Sequence, residues 1–491
     1  MKTLKKAMSV LVSLLMIFTF ALPAFADSAT TYTITAPATT HQYEIYQIFT
    51  GDLSEGILSN VKWGVNGTGT VGKAVDSTII TELTDVNSKS DREKLDVVER
   101  YAKLDSTPVE TISNGATYSA VAGYYLIKDK DNTVSGTDTY TTYIVQVVGD
   151  VTITPKSNVP SFEKKVKDTN DTTGATSDWQ DSADYDIGDE VPFKLEGTVA
   201  SNYADYKTYY FAFHDKAEPG LTFNKDSVKV FVDATEITTG YSVVTSTTDG
   251  DTFDVVFDNL KTITDVRADS KITVEYTATL NDKAVLGNQG NVNTAHLEFS
   301  NNPNKVHSGS GKPETGNTPD DSVIVFTYQV VVNKTKANGE ALTGAEFTLE
   351  KVLEDGTQKT VTVVKNTEGT TFTFKGLDDG DYILTETVTP ATYNTIEPIR
   401  FTVTADHKIT WNGEARTKIL TSLSGNTASG KITFTPSADK SELTTNVVNQ
   451  SGTLLPGTGG IGTTIFYIIG GLLMAAAAVL LITKKRMNSD K

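Results

Sequence analysis

Lys271-Ile-Thr-Val-Glu-Tyr-Thr-Ala-Thr279 places apolar residues at 272, 274, 276 and 278 and polar ones between them. A repeat of two sends alternate side chains to opposite faces of an extended chain, so one face of this segment is built for a core and the other for water. The same alternation recurs over 140–148, 228–232 and 253–257. These runs are short, rich in Thr, Val, Ile, Tyr and Phe, and separated by turn residues. They are expected to form antiparallel strands stacked as β-sandwiches. One segment departs from the pattern. Ser90-Asp91-Arg92-Glu93 has the spacing of a helix capping box, and Leu95, Val98, Ala102 and Tyr101 follow on one face before Pro108. A short helix packed on the first sheet is the expectation there.

The two ends of the chain carry address signals. Lys2, Lys5 and Lys6 precede an apolar core at 10–22, and Ala24-Phe25-Ala26 supplies a small-x-small cleavage site, so residues 1–26 read as a signal peptide. At the other end Leu455-Pro456-Gly457-Thr458-Gly459 is followed by an apolar run from about 461 to 483 and then Lys484-Lys485-Arg486. A run of about 20 apolar residues spans a bilayer as a helix, and the trailing cations hold its end on the cytoplasmic side. Everything before that helix faces outward. Loss of both signals removes seven basic residues and one acidic residue, moving the formal charge from −18 to −24. A surface that acidic argues against a nucleic-acid partner. With no cysteine in the chain, disulfides cannot brace it outside the cell, and another covalent device would be useful there.

The pentapeptide 455–459 resembles the LPxTG sorting signal of Gram-positive surface proteins. That resemblance implies a sortase that cleaves between Thr458 and Gly459 and transfers the Thr458 carboxyl to an amine. At the first domain boundary, Val151-Thr-Ile-Thr-Pro155-Lys156-Ser157-Asn158 resembles the YPKN motif of major pilins, with Thr154 in place of Tyr and Ser157 inserted. The resemblance implies Lys156 as the nucleophile that joins one subunit to the Thr458 of another. A lysine suits that step because its ε-amine sits on a long flexible stem and attacks once it is neutral. Repetition of a heterologous contact that does not close gives a filament.

The third domain resembles a Cna-B module, an immunoglobulin-like sandwich. Its opening is "VVVNKTK" from Val330 with "GEALTGAEFTL" from Gly339, "YILTETVTPATY" begins at Tyr382, and Val447-Val448-Asn449 ends it. The resemblance implies an intramolecular isopeptide between Lys334 and Asn449 assisted by Glu386. Alternation puts Lys334 on the face of Val332 and Asn449 on that of Val447, and Lys336 shares the lysine's face as an alternative. A lysine and a carboxyl group together in an apolar core both resist charging, which leaves the amine nucleophilic and the acid protonated. In the middle domain "SFEKKVKD" from Ser161, "DIGDEVPF" from Asp186, "FHDKAEPGLTF" from Phe213 and "NTAHLEFSNNPN" from Asn293 resemble the second domain of major pilins. They imply Lys164 bonded to Asn301 with Asp215 as the acid, and Lys165 and Asn302 as register alternatives. "HQYEIYQIFTGDL" from His41 and "AGYYLIKD" from Ala122 resemble the pilins' first domain.

The expected organisation is a signal peptide at 1–26, domains at 27–158, 159–302 and 322–450, a linker rich in Pro, Gly, Ser and Asn at 303–321, and the sorting signal at 451–491. The expected fold is mainly β, with tandem Cna-B-type sandwiches, one short helix in the first domain and a C-terminal transmembrane helix. The expected role is the major subunit of a covalent, peptidoglycan-attached surface pilus supporting adhesion. The alternative is a monomeric wall-anchored adhesin for a host matrix protein. Implied partners are the pilus-specific and housekeeping sortases, identical subunits, minor pilins, peptidoglycan and a host surface ligand left open. No cofactor is expected, and no metal. Five histidines without cysteine or His-x-x-x-His spacing do not read as zinc, and the Asp-rich stretch at 168–189 lacks an EF-hand pattern. The chain reads as a sortase substrate, not an enzyme.

Overall fold

The computed structural model describes residues 30–134, 138–154, 158–245, 247, 249–306, 313–427, 430–452 and the helix Ile461–Met487. The signal peptide, Lys156 and the 455–459 pentapeptide lie outside the described residues.

The opening stretch forms the strand Lys271–Leu280, with Ile272, Val274, Tyr276, Ala278 and Leu280 buried. It lies between Glu190–Thr198 and Leu221–Val232, both antiparallel. The five-stranded sheet runs in the order Thr235–Ile237, Leu221–Val232, Lys271–Leu280, Glu190–Thr198, Phe162–Val166. Facing it across one continuous core is a second sheet. Its strands are Ser182–Asp184, Asp321–Phe326, Asn291–Ser300, Phe211–Ala217, Phe253–Phe257 and Ser242–Val244, and Thr315–Asn317 pairs alongside Asn291–Ser300.

That second sheet revises the expected division of the chain. Thr315–Asn317 falls inside the expected linker, and Asp321–Phe326, expected to open the third domain, pairs with Asn291–Ser300 and Ser182–Asp184. The middle sandwich therefore reaches Phe326. Val323 and Val325 enter its core while Ile324 and Phe326 enter the core of the next domain, so one alternating strand serves both.

The third domain stacks two five-stranded sheets. One runs Val363–Lys365, Thr371–Leu377, Tyr328–Lys336, Glu442–Asn449, Thr435–Ser437, and the other runs Gln358–Val361, Glu346–Val352, Gly380–Val388, Ile399–His407, Leu420–Thr427. Its first and last long strands, Tyr328–Lys336 and Glu442–Asn449, lie side by side in parallel, with Lys334 opposite Val447. This pairing brings the two ends of the domain together.

In the first domain the capping box forms as read. The Ser90 backbone N–H donates to Glu93 Oε2 at 3.0 Å, the Glu93 N–H donates to Ser90 Oγ at 3.3 Å, and the helix runs Asp91–Glu99. A second helix, Ser77–Asp85, precedes it, so the expectation of a single helix was one short. Asp76 caps it by accepting from the Thr78 N–H, a local signal that the β-branched run Thr-Ile-Ile obscured. Ile80, Leu83, Leu95 and Val98 pack with Phe49 and Trp63 on the sheet. At the C-terminus the helix Ile461–Met487 forms where a span was expected. Its side chains are described over 467–480 alone, and among the described residues no helix is long and apolar enough to cross a membrane.

Candidate isopeptide sites and an interdomain ion cluster

The third domain assembles Lys334, Glu386 and Asn449 as expected. Lys334 and Asn449 come from the paired parallel strands, and Glu386 from Gly380–Val388 in the opposing sheet. The Lys334 ammonium nitrogen donates to the Val447 carbonyl at 3.0 Å and to Asn449 Oδ1. Asn449 Nδ2 donates to both Glu386 oxygens, at 2.9 and 3.0 Å, and Lys334 Nζ lies 3.6 Å from Glu386 Oε1. All three side chains are buried, with the Phe347 ring 5.7 Å from the amine. Burial pushes the Lys334 amine below its ordinary value, and Glu386 offsets that only in part. Lys336, the register alternative, is only half-buried and pairs with Glu340 at 2.9 Å.

In the middle domain Lys164 and Asp215 meet as expected, but Asn301 does not join them. Lys164 Nζ donates to Asp215 Oδ2 and, at 2.9 Å, to the Tyr276 hydroxyl, which donates to Asp215 Oδ2 at 2.6 Å. The amide that completes the group is Asn293, whose Nδ2 donates to the Tyr276 hydroxyl at 2.9 Å. Lys164, Asp215 and Asn293 are all fully buried, and Asn293 Oδ1 has no hydrogen-bond partner.

Strand register explains the correction. Asp215 stands opposite Ala295 on Asn291–Ser300, which leaves Asn293 one pleat repeat away on the same face. Asn301 is six residues past Ala295, about 20 Å along an extended chain. There its carbonyl accepts from the Tyr140 N–H at 2.7 Å, and the neighbouring Asn302 amide donates to Glu314 at 2.8 Å. Lys165 points the other way, to Asp181 at 2.7 Å. Residues 293 and 301 have the same parity, so alternation alone could not separate them. Burial pushes the Lys164 amine down and the Asp215 carboxyl up, each partly opposed by its partner. Both shifts favour the neutral pair.

A third buried lysine had no sequence signal. Lys351 on Glu346–Val352 is fully buried at the junction with the middle domain. Its Nζ meets Asp378 Oδ1, and Asp171 and Asp186 of the middle domain at 3.3 Å each. Burial opposes its charge, but the three carboxylates outweigh burial and the amine is raised above its ordinary value. Other pairs of opposite sign also join the two domains. Lys359 pairs with Asp189 at 2.8 Å, and Arg416 forks onto Glu218 at 2.8 and 3.1 Å. Only the fold could reveal this cluster, since Asp171 and Lys351 lie 180 positions apart.

Comparison with known proteins fits this layout. A family model of the Gram-positive pilin backbone subunit 2, Cna-B-like domain, matches residues 187–303. A prealbumin-like fold domain of the SpaA type matches 328–415, and the LPXTG cell wall anchor motif matches 447–489. The trypsin-resistant surface T6 protein of Streptococcus pyogenes serotype M6 is 28% identical over 285 residues, covering 53% of this chain and 50% of that protein. The chain thus spans about half the length of that curated relative. Among solved structures, the three-domain T6 backbone pilin of the same serotype superimposes with a TM-score of 0.53 at 21% identity, over 88% of this chain and 100% of that one. The full-length major pilin SpaD of Corynebacterium diphtheriae gives 0.47 at 18% identity, over 88% and 100%. The chain is therefore a cell-wall-anchored surface protein with the domain composition of a Gram-positive backbone pilin.

Proposed function

We propose that this chain is the shaft subunit of a covalent surface pilus, cross-linked within its middle and third domains and polymerised by sortase. The observation that carries the reading is the buried Lys334–Glu386–Asn449 group, which ties the two ends of a domain placed directly before the anchor motif. In this reading the neutral Lys334 amine attacks Asn449 Cγ. A new C–N bond forms, the side-chain amide C–N bond breaks, and Glu386 relays a proton from the amine to the leaving ammonia. Lys164, Asp215 and Asn293 perform the same condensation in the middle domain, with Tyr276 holding the acid and the amide in place.

The loop closed in the third domain spans 115 residues. By the chain-entropy account of cross-links this is worth on the order of 4–5 kcal/mol. Under tension the strands bearing load would be held by a covalent bond. Polymerisation would join Thr458 of one subunit to Lys156 of the next, with final transfer to peptidoglycan. The chemistry is performed on the chain itself or by sortases, and no turnover of an external substrate is invoked. The first and middle domains meet through polar contacts, among them Lys207–Asp96 at 2.9 Å and the Tyr140 N–H donating to the carbonyl of buried Asn301 at 2.7 Å.

The test is a denaturing gel of wall extracts from cells bearing wild-type or Lys156→Ala protein. A high-mass ladder that collapses to monomer in the variant is the expected result. A ladder that survives would move the nucleophile to another lysine. No ladder in the wild type, with the native sortase present, would favour the monomeric adhesin.

A further inference from the structure

The two proposed cross-links cover most of the path that tension takes through the molecule, but not all of it. One closes residues 164–293 into a covalent loop and the other closes 334–449. Tension that enters beside Lys164 and leaves beyond Asn449 crosses from the first loop to the second through residues 294–333, which neither bond spans. That stretch is a strap of ordinary backbone. It holds most of Asn291–Ser300, the short Thr315–Asn317, the shared strand Asp321–Phe326 and the start of Tyr328–Lys336. Asp321–Phe326 pairs with Ser182–Asp184 on one edge and with Asn291–Ser300 on the other, and it sends Ile324 and Phe326 into the third core.

The contacts between the middle and third domains bypass this strap. Lys351, inside the second loop, meets Asp171 and Asp186, inside the first, at 3.3 Å each. Arg416 forks onto Glu218 and also donates to the Gly290 carbonyl at 2.9 Å, and His407 faces Asp168 at 3.3 Å. Backbone groups add to these pairs. The Asp378 and Asp379 N–H groups donate to Asp186 Oδ1 and Asp184 Oδ2 at 3.0 Å each, and the Ile187 N–H donates to the Gly376 carbonyl at 3.0 Å. Each of these contacts joins a residue between 164 and 293 to one between 334 and 449. Pulling the two loops apart therefore loads the contacts in parallel with the strap, and the strap is not stretched until they give way. Lys351 is the strongest of them, because it is fully buried and its loss leaves carboxylates uncompensated.

We propose that this junction is an electrostatic latch on an extensible strap. While the latch is closed, tension passes from one covalent loop to the other through the ion pairs. When it opens, residues 294–333 lengthen, and the bonds at Asn293 and Lys334 stop the extension. The 41 steps from 293 to 334 limit it to roughly 135–150 Å of extended chain. The device rests on the reading that Lys164–Asn293 and Lys334–Asn449 are covalent.

The test exploits the absence of cysteine from the chain. Val159→Cys and Ser451→Cys place two handles on the full-length protein, purified in detergent, and leave the first domain out of the load path. Held at constant force between these handles, single molecules should lengthen only after a distinct rupture, and by no more than roughly 135–150 Å. Lys351→Met should speed that rupture at fixed force by more than about tenfold. Arg416→Gln should speed it about two- to fivefold, and neither variant should change the maximal lengthening. Lys207→Ala, at the other domain seam, should leave the rupture as it is. Loss of both ammonias in the intact mass checks that each variant is folded and cross-linked. A rupture indifferent to Lys351→Met and Arg416→Gln would overturn the latch, and so would a tether that breaks without lengthening. Lengthening near roughly 1,000 Å, the full run of chain between the handles, would instead show that the cross-links are missing and would overturn the reading beneath the latch.

Discussion

Lys334 and Lys351 are both buried in the third domain, yet their surroundings drive them to opposite states. Around Lys334 stand one carboxyl group, one amide and a phenyl ring, and the amine falls below its ordinary value. Around Lys351 stand Asp378, Asp186 and Asp171, and the amine rises above it. Burial is common to both, so the number of facing carboxylates decides the outcome. The first environment prepares a nucleophile beside an amide that can lose ammonia. The second holds a permanent cation across a domain junction, where it acts as an ionic clamp. Lys164 falls in the first class, with one acid and one amide at hand.

The largest effect should come from dismantling the first environment. Glu386→Ala is expected to abolish the third-domain bond, raising the intact mass relative to the sequence by the retained ammonia, about 17 Da. Denaturant unfolding should register a loss on the order of 4–5 kcal/mol. Asn293→Ala should do the same for the middle domain, whereas Asn301→Ala should leave that ammonia loss in place. The reverse pattern would restore Asn301 as the partner.

Lys351→Met sharpens the contrast from the other side. It strands three carboxylates at the junction and should cost about 3–5 kcal/mol in urea unfolding, the usual penalty for removing one partner of a buried ion group. The ammonia count should not change. A change in that count would mean that Lys351 is itself cross-linked and that the distinction between the two lysines is wrong.

A smaller and pH-dependent effect is expected at His214, another buried cation held by acids. Burial lowers its affinity for a proton, but Asp254 and Glu298 outweigh burial and bring its pKa to about 10, against 6.5 for the free side chain. Its folded-state pKa lies above the unfolded one, so its stabilisation is complete below pH 6.5 and is lost as the pH rises toward 10. Wild type and His214→Gln should therefore differ most in urea midpoint near pH 6 and converge by pH 10. A gap that widens with pH would reverse the assignment of charge. Least of all should follow from Lys336→Ala, which removes an exposed pair with Glu340. Its melting temperature and ammonia count should match the wild type.

Much of this molecule is legible in one dimension. The alternation at 271–279 became a buried central strand, and the capping box at Ser90 formed with both hydrogen bonds. Lys334, Glu386 and Asn449 came together from three separated motifs. In each case the deciding signal is local, a period of two or a fixed spacing, which the backbone itself imposes.

What the sequence could not supply was register between distant strands and the meeting of domains. Asn293 and Asn301 share parity and composition, and only the pairing of Asp215 with Ala295 separates them. Asp321–Phe326 alternates like any strand, and only its neighbours assign one face to the middle core and the other to the third. Lys351 reads as one more surface lysine until Asp171 and Asp186 arrive from 180 and 165 positions away. Local pattern thus determined which segments are strands and which residue types bear chemistry. Tertiary structure alone decided which of them meet, because contact across sheets and between domains depends on register and packing that no local period encodes.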